Sequence, residues 1–492
     1  MIPTAWRRRL LAAATAFAGG IAAVAGSYAV VGDAPTFVAA PVSNLTVTLA
    51  PAALVTFAIT VLGDLGSDLA YGGGLAAAAA LLGFVVAVGR IAAARAGRPL
   101  LAPVAVALGV GVVAAALSGA FDSTVGAVVG AALVSTVAAL GAGDESTGDP
   151  TDGPRRALLS AAAAIAVAAL GVGGRRAFAP SDPVERAPVE DDVAALLAEA
   201  EEKSLDVEGL EPLISDDFYR VDVANVDPDP AREDWSVRIH GAVGEETTVT
   251  FADVEAMDHE HRFVSLRCVG ESLNGRKLDN ALWTGVPIAD LIDDADPEGD
   301  YVMLRAADGF YEEFPVDALE TGFLAVGMNG QPLPRAHGAP ARALIPGHWG
   351  EINVKWLTEI EILDEPATGY WEERGWHGTG PVNTVAKLWA TNRLNDGRIE
   401  VAGAAYAGTR GIKSVEVSVD GGDTWAAADL SDPLPGEDVW RQWVYRYDPP
   451  GQHEVVVRAV DGTGTLQPED EKRAFPSGPS GWVSRSVAPD SL

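Results

Sequence analysis

The sequence predicts a multidomain chain in which an all-α transmembrane module is followed by an α+β domain and then by an all-β, immunoglobulin-like sandwich. Three observations lead there. Six apolar runs fall within the first 176 of 492 residues, helical and strand periodicities mix between about 213 and 365, and strand periodicity alone remains over 366–492. A chain of this length exceeds what one hydrophobic core ordinarily organises.

The apolar runs span about 9–31, 46–63, 70–91, 101–120, 123–142 and 157–174, most of them near the ~20 residues a helix needs to cross a bilayer. Short cytoplasmic loops retain positive charge, so Arg7 to Arg9, then Arg90, Arg95 and Arg98, then Arg155 and Arg156 are expected inside. That pattern requires 46–63, short and carrying Pro51, to be a partial or re-entrant segment. Five crossings then leave the soluble part outside the cell membrane, whereas six would leave it in the cytoplasm. The stretch "PRRALLSAAAAIAVAALGVGG" from Pro154 resembles a twin-arginine signal, which exports proteins already folded around a cofactor, and reads equally well as two ordinary positive-inside arginines. All seven histidines lie beyond residue 176, so bis-histidine haem within the bilayer is excluded. The apolar segments carry few mid-depth charges, which argues for an anchor in lipid over a transporter.

Residues 177–212 read as an acidic linker with a helix at 191–203. The α+β pattern at 213–365 rests on "WSVRIHG" as a strand, "TFADVEAM" and "VPIADLIDDA" as helices, and a hairpin turning at Ala307-Asp308-Gly309. Beyond it Val415, Val417 and Val419 share a strand face and Asp420-Gly421-Gly422 closes a turn; Trp440, Trp443, Tyr445 and Tyr447 read as sandwich core. The chain beyond residue 176 holds 25 basic and 60 acidic residues, a net charge near −35. A field of that sign disfavours nucleic acid and anionic headgroups, and the composition suits a halophilic source.

Cys268, in "SLRCVGESLNG", is the only cysteine. It excludes an intramolecular disulfide, a thiolate iron–sulfur cluster and a CxxCH haem site. A lone cysteine is most often a small buried hydrophobe, yet Arg267 and Arg276 nearby would favour a thiolate and hence a soft metal. Downstream, "MNGQPLPRAHGAPARALIPGHWGEINVKW" combines glycines with His337, Arg342, His348 and Lys355, donors suited to an anion.

Together these segments resemble the sulfite oxidase family of molybdenum–pterin enzymes over some 270 residues, from Phe218 to the C-terminus. "FYR", "LRC", "LWTGVPIADLI", "MNGQPLPRAHGAPAR" with "VKWL", and "VEVSVDGGDTW" occur in the family's order. The resemblance implies a molybdopterin-binding domain and a C-terminal dimerisation domain, hence a homodimer. It makes Cys268 the thiolate ligand of molybdenum. Phe218, Tyr219, Arg220, Asp222, Asp308, His337, Arg342, Asn353 and Lys355 become pterin contacts, Arg220 also facing substrate. Three departures accompany it. Val269 to Leu273 replace A-G-N-R-R, placing Glu271 among positions that are basic in animal and plant members. Glu351 and Ile352 replace Ala-Arg. The active-site tyrosine has only an approximate counterpart in Tyr311, one position away. Cations that would hold an anionic substrate are therefore missing, and the small-molecule substrate is left open. The implied activity is oxygen-atom transfer with a separate electron-transfer partner, in the direction of an oxidase or of an S- or N-oxide reductase, for instance of protein methionine sulfoxide. The reading from another class is a membrane-anchored binding protein that lost the cofactor.

Overall fold

The computed structural model describes residues 4–140 and 188–491. The run at 157–174 and the arginine pair Arg155-Arg156 lie outside them. Two compact units are present: Met1–Pro51, Asp64–Val184 and Asp222–Asp229 form one, and Ala52–Gly63, Glu185–Val221 and Pro230–Leu492 the other.

The first unit is helical, with helices Thr4–Val31, Ala40–Thr48, Asp64–Arg95, Ala102–Ser118 and Phe121–Leu140. Four of them are long and apolar enough to cross a membrane. Small residues let their backbones meet: a Cβ at Gly26 would collide with the Gly126 carbonyl, and one at Gly130 with the Ala22 carbonyl, the close approach that helices in lipid favour. Other side chains point away from the unit, with Leu108 69% and Val112 72% exposed. The segment 222–229 joins this unit because Asn225 donates from Nδ2 to Ser43 Oγ (2.9 Å) while Asn44 Oδ1 accepts the Asn225 and Val226 amides.

The 46–63 run does not form one helix. The chain breaks at Pro51, where a helix cannot continue uninterrupted, and its second half, helix Ala52–Phe57 with the π-turn Ala58–Leu62, belongs to the other unit.

That second unit is built mainly from strands. Its first part contains β1 (Ser236–Gly241), β2 (Thr247–Thr250), β3 (Glu260–Arg267), β4 (Leu278–Pro287), β5 (Tyr301–Ala306), β6 (Tyr311–Pro315), β7 (Phe323–Met328), β8 (Gln331–Pro332), β9 (Arg342–Leu344) and β10 (Leu357–Leu363). One sheet runs β2-β1-β10-β5-β6 and another β3-β4-β7-β8 with β9 on β7. Val237 and Ile239 alternate inward on β1 and meet Leu304, Phe314, Ile360 and Ile362 in one core, as half-buried strands require. The Asn329-Gly330 pair of "MNGQPLP" makes the β7–β8 hairpin with φ of 51° and 71°, the left-handed pair that a two-residue turn demands. Asn329 Oδ1 then accepts the Leu282 amide at 2.9 Å, fixing the turn to β4.

The remaining strands are β11 (Val385–Ala386), β12 (Ala390–Arg393), β13 (Ile399–Tyr406), β14 (Ile412–Ser418), β15 (Ala426–Ala427), β16 (Asp429–Leu430), β17 (Arg441–Tyr447), β18 (His453–Asp461) and β19 (Val483–Val487). They form two antiparallel sheets, β11-β13-β17-β16 with β12, and β15-β14-β18-β19. Val415, Val417 and Trp443 are buried in the core the two sheets share, and Trp440 is buried beside Leu213 and Trp349 in an adjoining cluster. The helix Asp191–Lys203 packs into the latter through Val193 and Ala200.

Candidate functional site

The site begins where β3 ends. Its last residue, Arg267, is wholly buried and donates from Nε to Glu271 Oε1 at 2.8 Å and from a terminal nitrogen to the Asn383 carbonyl at 2.9 Å. Its guanidinium lies 4.7 Å over the Trp349 ring. Lys387, also wholly buried, reaches the same Glu271 oxygen at 2.5 Å and the Gly275 carbonyl at 2.8 Å. One carboxylate is thus answered by two cations, and the loop 268–277 is closed upon itself and clamped to residues on either side of β11. Glu271, which stands among positions that are basic in animal and plant members, thus points inward and is consumed by structure.

Cys268 begins that loop. Its amide donates to the Lys277 carbonyl at 3.0 Å, and its side chain is half-buried. Burial pushes the thiol up to about 11, against the opposing pull of Lys277, so a thiolate here needs a cation to stabilise it. A Cβ at Gly270 would lie 3.8 Å from Cys268 Sγ, 3.6 Å from the Trp376 ring and 2.7 Å from Ile59 Cγ2. The apolar segment 52–63 therefore packs directly on the cysteine loop.

A cluster of basic groups stands nearby. Arg342 on β9 is buried over the Trp283 ring and donates to the Asn353 and His337 carbonyls at 2.8 and 3.2 Å, while its Nε has no partner. Lys355 donates to the Ala336 carbonyl at 3.1 Å and lies 4.5 Å from the Trp356 ring. Trp356 itself holds φ at 49°, a strained value for a bulky residue, pinned by its indole bond to the Arg335 carbonyl. Burial lowers all three bases: Arg342 to about 10, Lys355 to about 7 with Arg220 adding to the fall, and His337 to about 4 with Arg342 and Arg220 adding. An anion would relieve each of these shifts. Tyr219 links this cluster to the cysteine, being within electrostatic reach of both Cys268 and Arg342. Its amide is held by Asp279 at 2.8 Å, and Phe218 stacks on its ring at 5.5 Å while meeting His337 edge-on.

The third element is acidic. Glu312 on β6, Glu351 in the turn Gly350–Ile352 and Glu372 in the turn Glu372–Arg374 each bring a carboxylate oxygen within 4.8 Å of the others. Burial, a hydrogen bond with Glu372 and the Glu351 and Glu372 charges hold Glu312 far above the usual carboxylate range; burial, then Glu372, pushes Glu351 up to about 8.

The structure thus brings together Phe218, Tyr219, Arg220, Cys268, His337, Arg342 and Lys355. Asn353 stands behind them: its side chain is used by the Ile345 amide and the Trp349 carbonyl, so it shapes the loop and offers its backbone carbonyl to Arg342. Asp308 accepts the Phe310 amide in the β5–β6 turn at 3.0 Å. Asp222 opens the segment 222–229, which belongs to the helical unit. Tyr311 packs edge-on to Tyr370 under Arg305, and β6 alternation turns its successor, Glu312, inward beside Phe314. Glu312, Glu372 and Trp376 escaped sequence reading; the one usable signal was the strand alternation of "YEEF".

Comparison with known proteins matches two stretches of the chain. A model described as oxidoreductase molybdopterin binding domain matches residues 222–371, and one described as Mo-co oxidoreductase dimerisation domain matches 383–477. The uncharacterized oxidoreductase YuiH of Bacillus subtilis (strain 168) is 33% identical over 150 residues, covering 30% of this chain and 74% of that protein. Mitochondrial sulfite oxidase of Homo sapiens is 27% identical over 310 residues, covering 50% of this chain. The chain spans 55% of the human protein's length. Sulfite oxidase of Arabidopsis thaliana is 24% identical over 306 residues, covering 48% of this chain and 77% of that protein.

Proposed function

Because the chain belongs to the sulfite oxidase family of molybdopterin oxidoreductases, we propose that it is a membrane-anchored, dimeric enzyme of oxygen-atom transfer whose cofactor is held by Cys268 and the basic cluster. The observation that carries this reading is the convergence of Arg342, His337 and Lys355, with Arg342 Nε buried and unpartnered, beside the chain's only thiol. A pterin phosphate suits that donor set, since guanidinium offers a fork and ammonium a point charge, and a molybdenum ion suits a thiol that needs a cation to ionise. When bound, the group would supply two-electron oxygen-atom exchange.

The chain's own residues do the rest. Cys268 would give up its proton and ligate the metal, while Arg267, Glu271 and Lys387 keep its loop from shifting. His337, neutral at pH 7, donates or accepts a single hydrogen bond without adding charge. Arg220, exposed at the rim, receives substrate. Tyr219 brings a phenol against Gly350 and the cysteine loop, and Ile59 with Trp376 keeps that side apolar. Tyr311, packed on Tyr370, acts on substrate through its neighbours, and Asp308 and Asp222 complete the pterin contacts.

The substrate reading follows from charge. The wall near Cys268 is carboxylic where an oxyanion would need cations, which favours a neutral S- or N-oxide over sulfite. With a single cysteine, electrons come from a separate partner. The exposed apolar belt of the helices supports insertion in the cell membrane, the arginine pattern supports extracytoplasmic placement of the enzymatic part, and the two C-terminal sheets support an immunoglobulin-like dimerisation domain.

The test is elemental analysis and pterin fluorescence of full-length protein from a host that makes the cofactor, with Cys268→Ser alongside. About one molybdenum and one pterin per chain are expected, with Cys268→Ser keeping the fold and losing nearly all turnover. Absence of both from wild-type protein would sink the reading and favour a binding protein on an emptied scaffold.

A further inference from the structure

We propose that Glu312, Glu351 and Glu372 form a binding site for a hard divalent cation beside the cysteine loop. The three come from elements far apart in sequence, and one oxygen of each lies within 4.8 Å of the others, a spread that a single ion with oxygen ligands at roughly 2.0–2.6 Å can bridge. Glu312 is wholly buried and Glu351 is only 7% exposed. Both oxygens of Glu351 are shielded from solvent without any hydrogen-bond partner, and both of Glu372 are shielded with only the Glu312 carboxyl in hydrogen-bond reach. Among the described residues no lysine or arginine forms an ion pair with any of the three. Buried carboxylates in that state are strongly disfavoured unless a cation or protons answer them.

The surroundings are fitted to the charge. The Trp371 amide donates to Glu312 Oε2 at 3.2 Å and the Glu313 amide to Oε1 at 3.3 Å, which orients that carboxylate and leaves the other two to a ligand. A Cβ at Gly369 would collide with the oxygens of Glu312 and Glu372, and one at Gly378 with an oxygen of Glu351. Only glycine lets the chain pass so close. A Cβ at Gly378 would also lie 3.0 Å from Val269 Cγ2, which ties the cluster to the residue after Cys268. An all-oxygen set of three carboxylates selects a hard ion of the calcium, magnesium or manganese kind over a thiophilic one. Filled by such an ion the cluster keeps one net negative charge, so it still repels an oxyanion. The site stands whether or not molybdenum is present, and its test is independent of that cofactor.

Terbium serves as the probe, because Trp371 bonds Glu312 through its amide and has the Trp376 ring 6.4 Å away, so that tryptophan can sensitise its emission. Full-length protein, stripped with a chelator and held in high salt to suppress surface binding, is titrated with Tb3+ under tryptophan excitation and then with CaCl2 as competitor. Saturation at one equivalent, reversed by calcium, is expected. Glu351→Gln and Glu372→Gln should each weaken binding at least about tenfold, as affinity follows ligand charge, while Asp396→Asn at an exposed turn should leave it unchanged. A calcium-dependent rise in the wild-type melting temperature, lost in either variant, gives a second readout. No saturable sensitised emission, or equal affinity in the wild type and both glutamine variants, would overturn the proposal and leave a cluster that holds protons only.

Discussion

Two buried charge clusters flank the cysteine loop, and they are built on opposite plans. In Arg267–Glu271–Lys387 one carboxylate is met by two cations at 2.8 and 2.5 Å. In Glu312–Glu351–Glu372 no cation of the described chain answers any of the three. Both are desolvated, so the difference lies in what completes them. The first is complete within the fold and serves to hold a loop; the second is left for something outside the chain. A buried charge is therefore informative about function chiefly when its partner is missing.

The largest effect should come from breaking the closed cluster. Glu271→Ala leaves two cations buried without an anionic partner and should lower unfolding stability by about 3–5 kcal/mol, read as a shift in the denaturation midpoint. If it costs no more than a surface substitution, the clamp on the cysteine loop has been misjudged. Next comes the basic cluster. Arg342→Met should retain the fold and reduce bound pterin by roughly tenfold or more, the worth of a charge-assisted hydrogen bond, measured as cofactor fluorescence per chain.

The pH dependence sharpens the comparison further, because the open clusters have opposite signs. Glu351 titrates at about 8 when folded, well above an unfolded glutamate near 4.5. The folded state then binds more protons between those values, and cofactor-free, chelator-treated protein should lose stability as pH rises from about 4.5 to 8. Lys355 titrates at about 7 when folded, below an unfolded lysine near 10.5, so its contribution should make stability rise with pH across that window. Glu351→Gln should flatten the first slope and Lys355→Met the second, and unchanged slopes would argue against the burial of these groups. The smallest effect is expected where a single neutral donor is lost. Tyr406 donates its hydroxyl proton to Asp438 at 2.7 Å, and Asp438 in turn accepts the Gly347 amide at 2.9 Å. Tyr406→Phe should cost about 1–3 kcal/mol and leave cofactor content unchanged.

Much of the fold could be read from short-range pattern. Period-two alternation marked β1 and β14, the Asp308-Gly309 turn marked the β5–β6 hairpin, and apolar spacing marked the helix at 191–203. The donors Arg342, His337 and Lys355 were legible because one motif carries them all. The acidic cluster was not, since its members stand on separate elements and each looks locally like an ordinary polar residue. The structural role of Glu271 was hidden for a related reason: its partner Lys387 lies 116 residues away, and no local periodicity encodes that pairing. The exchange of segments 52–63 and 222–229 between the two units had no sequence signal beyond Pro51.

The segment 52–63 makes the enzymatic part discontinuous along the chain. Ile59 packs on the loop of Cys268 while Leu54, Phe57 and Val61 stay exposed, and the chain on either side of 52–63 continues into apolar helices. A recombinant fragment beginning at the linker, the common route to a water-soluble form of an anchored enzyme, would omit this piece and open the flank of the cysteine loop. Biogenesis meets the same constraint in time. Residues 52–63 emerge from the ribosome more than 200 residues before their docking surface, and they precede the arginine pair at 155–156. If that pair directs export of an already folded domain, docking of this segment is the last step of assembly.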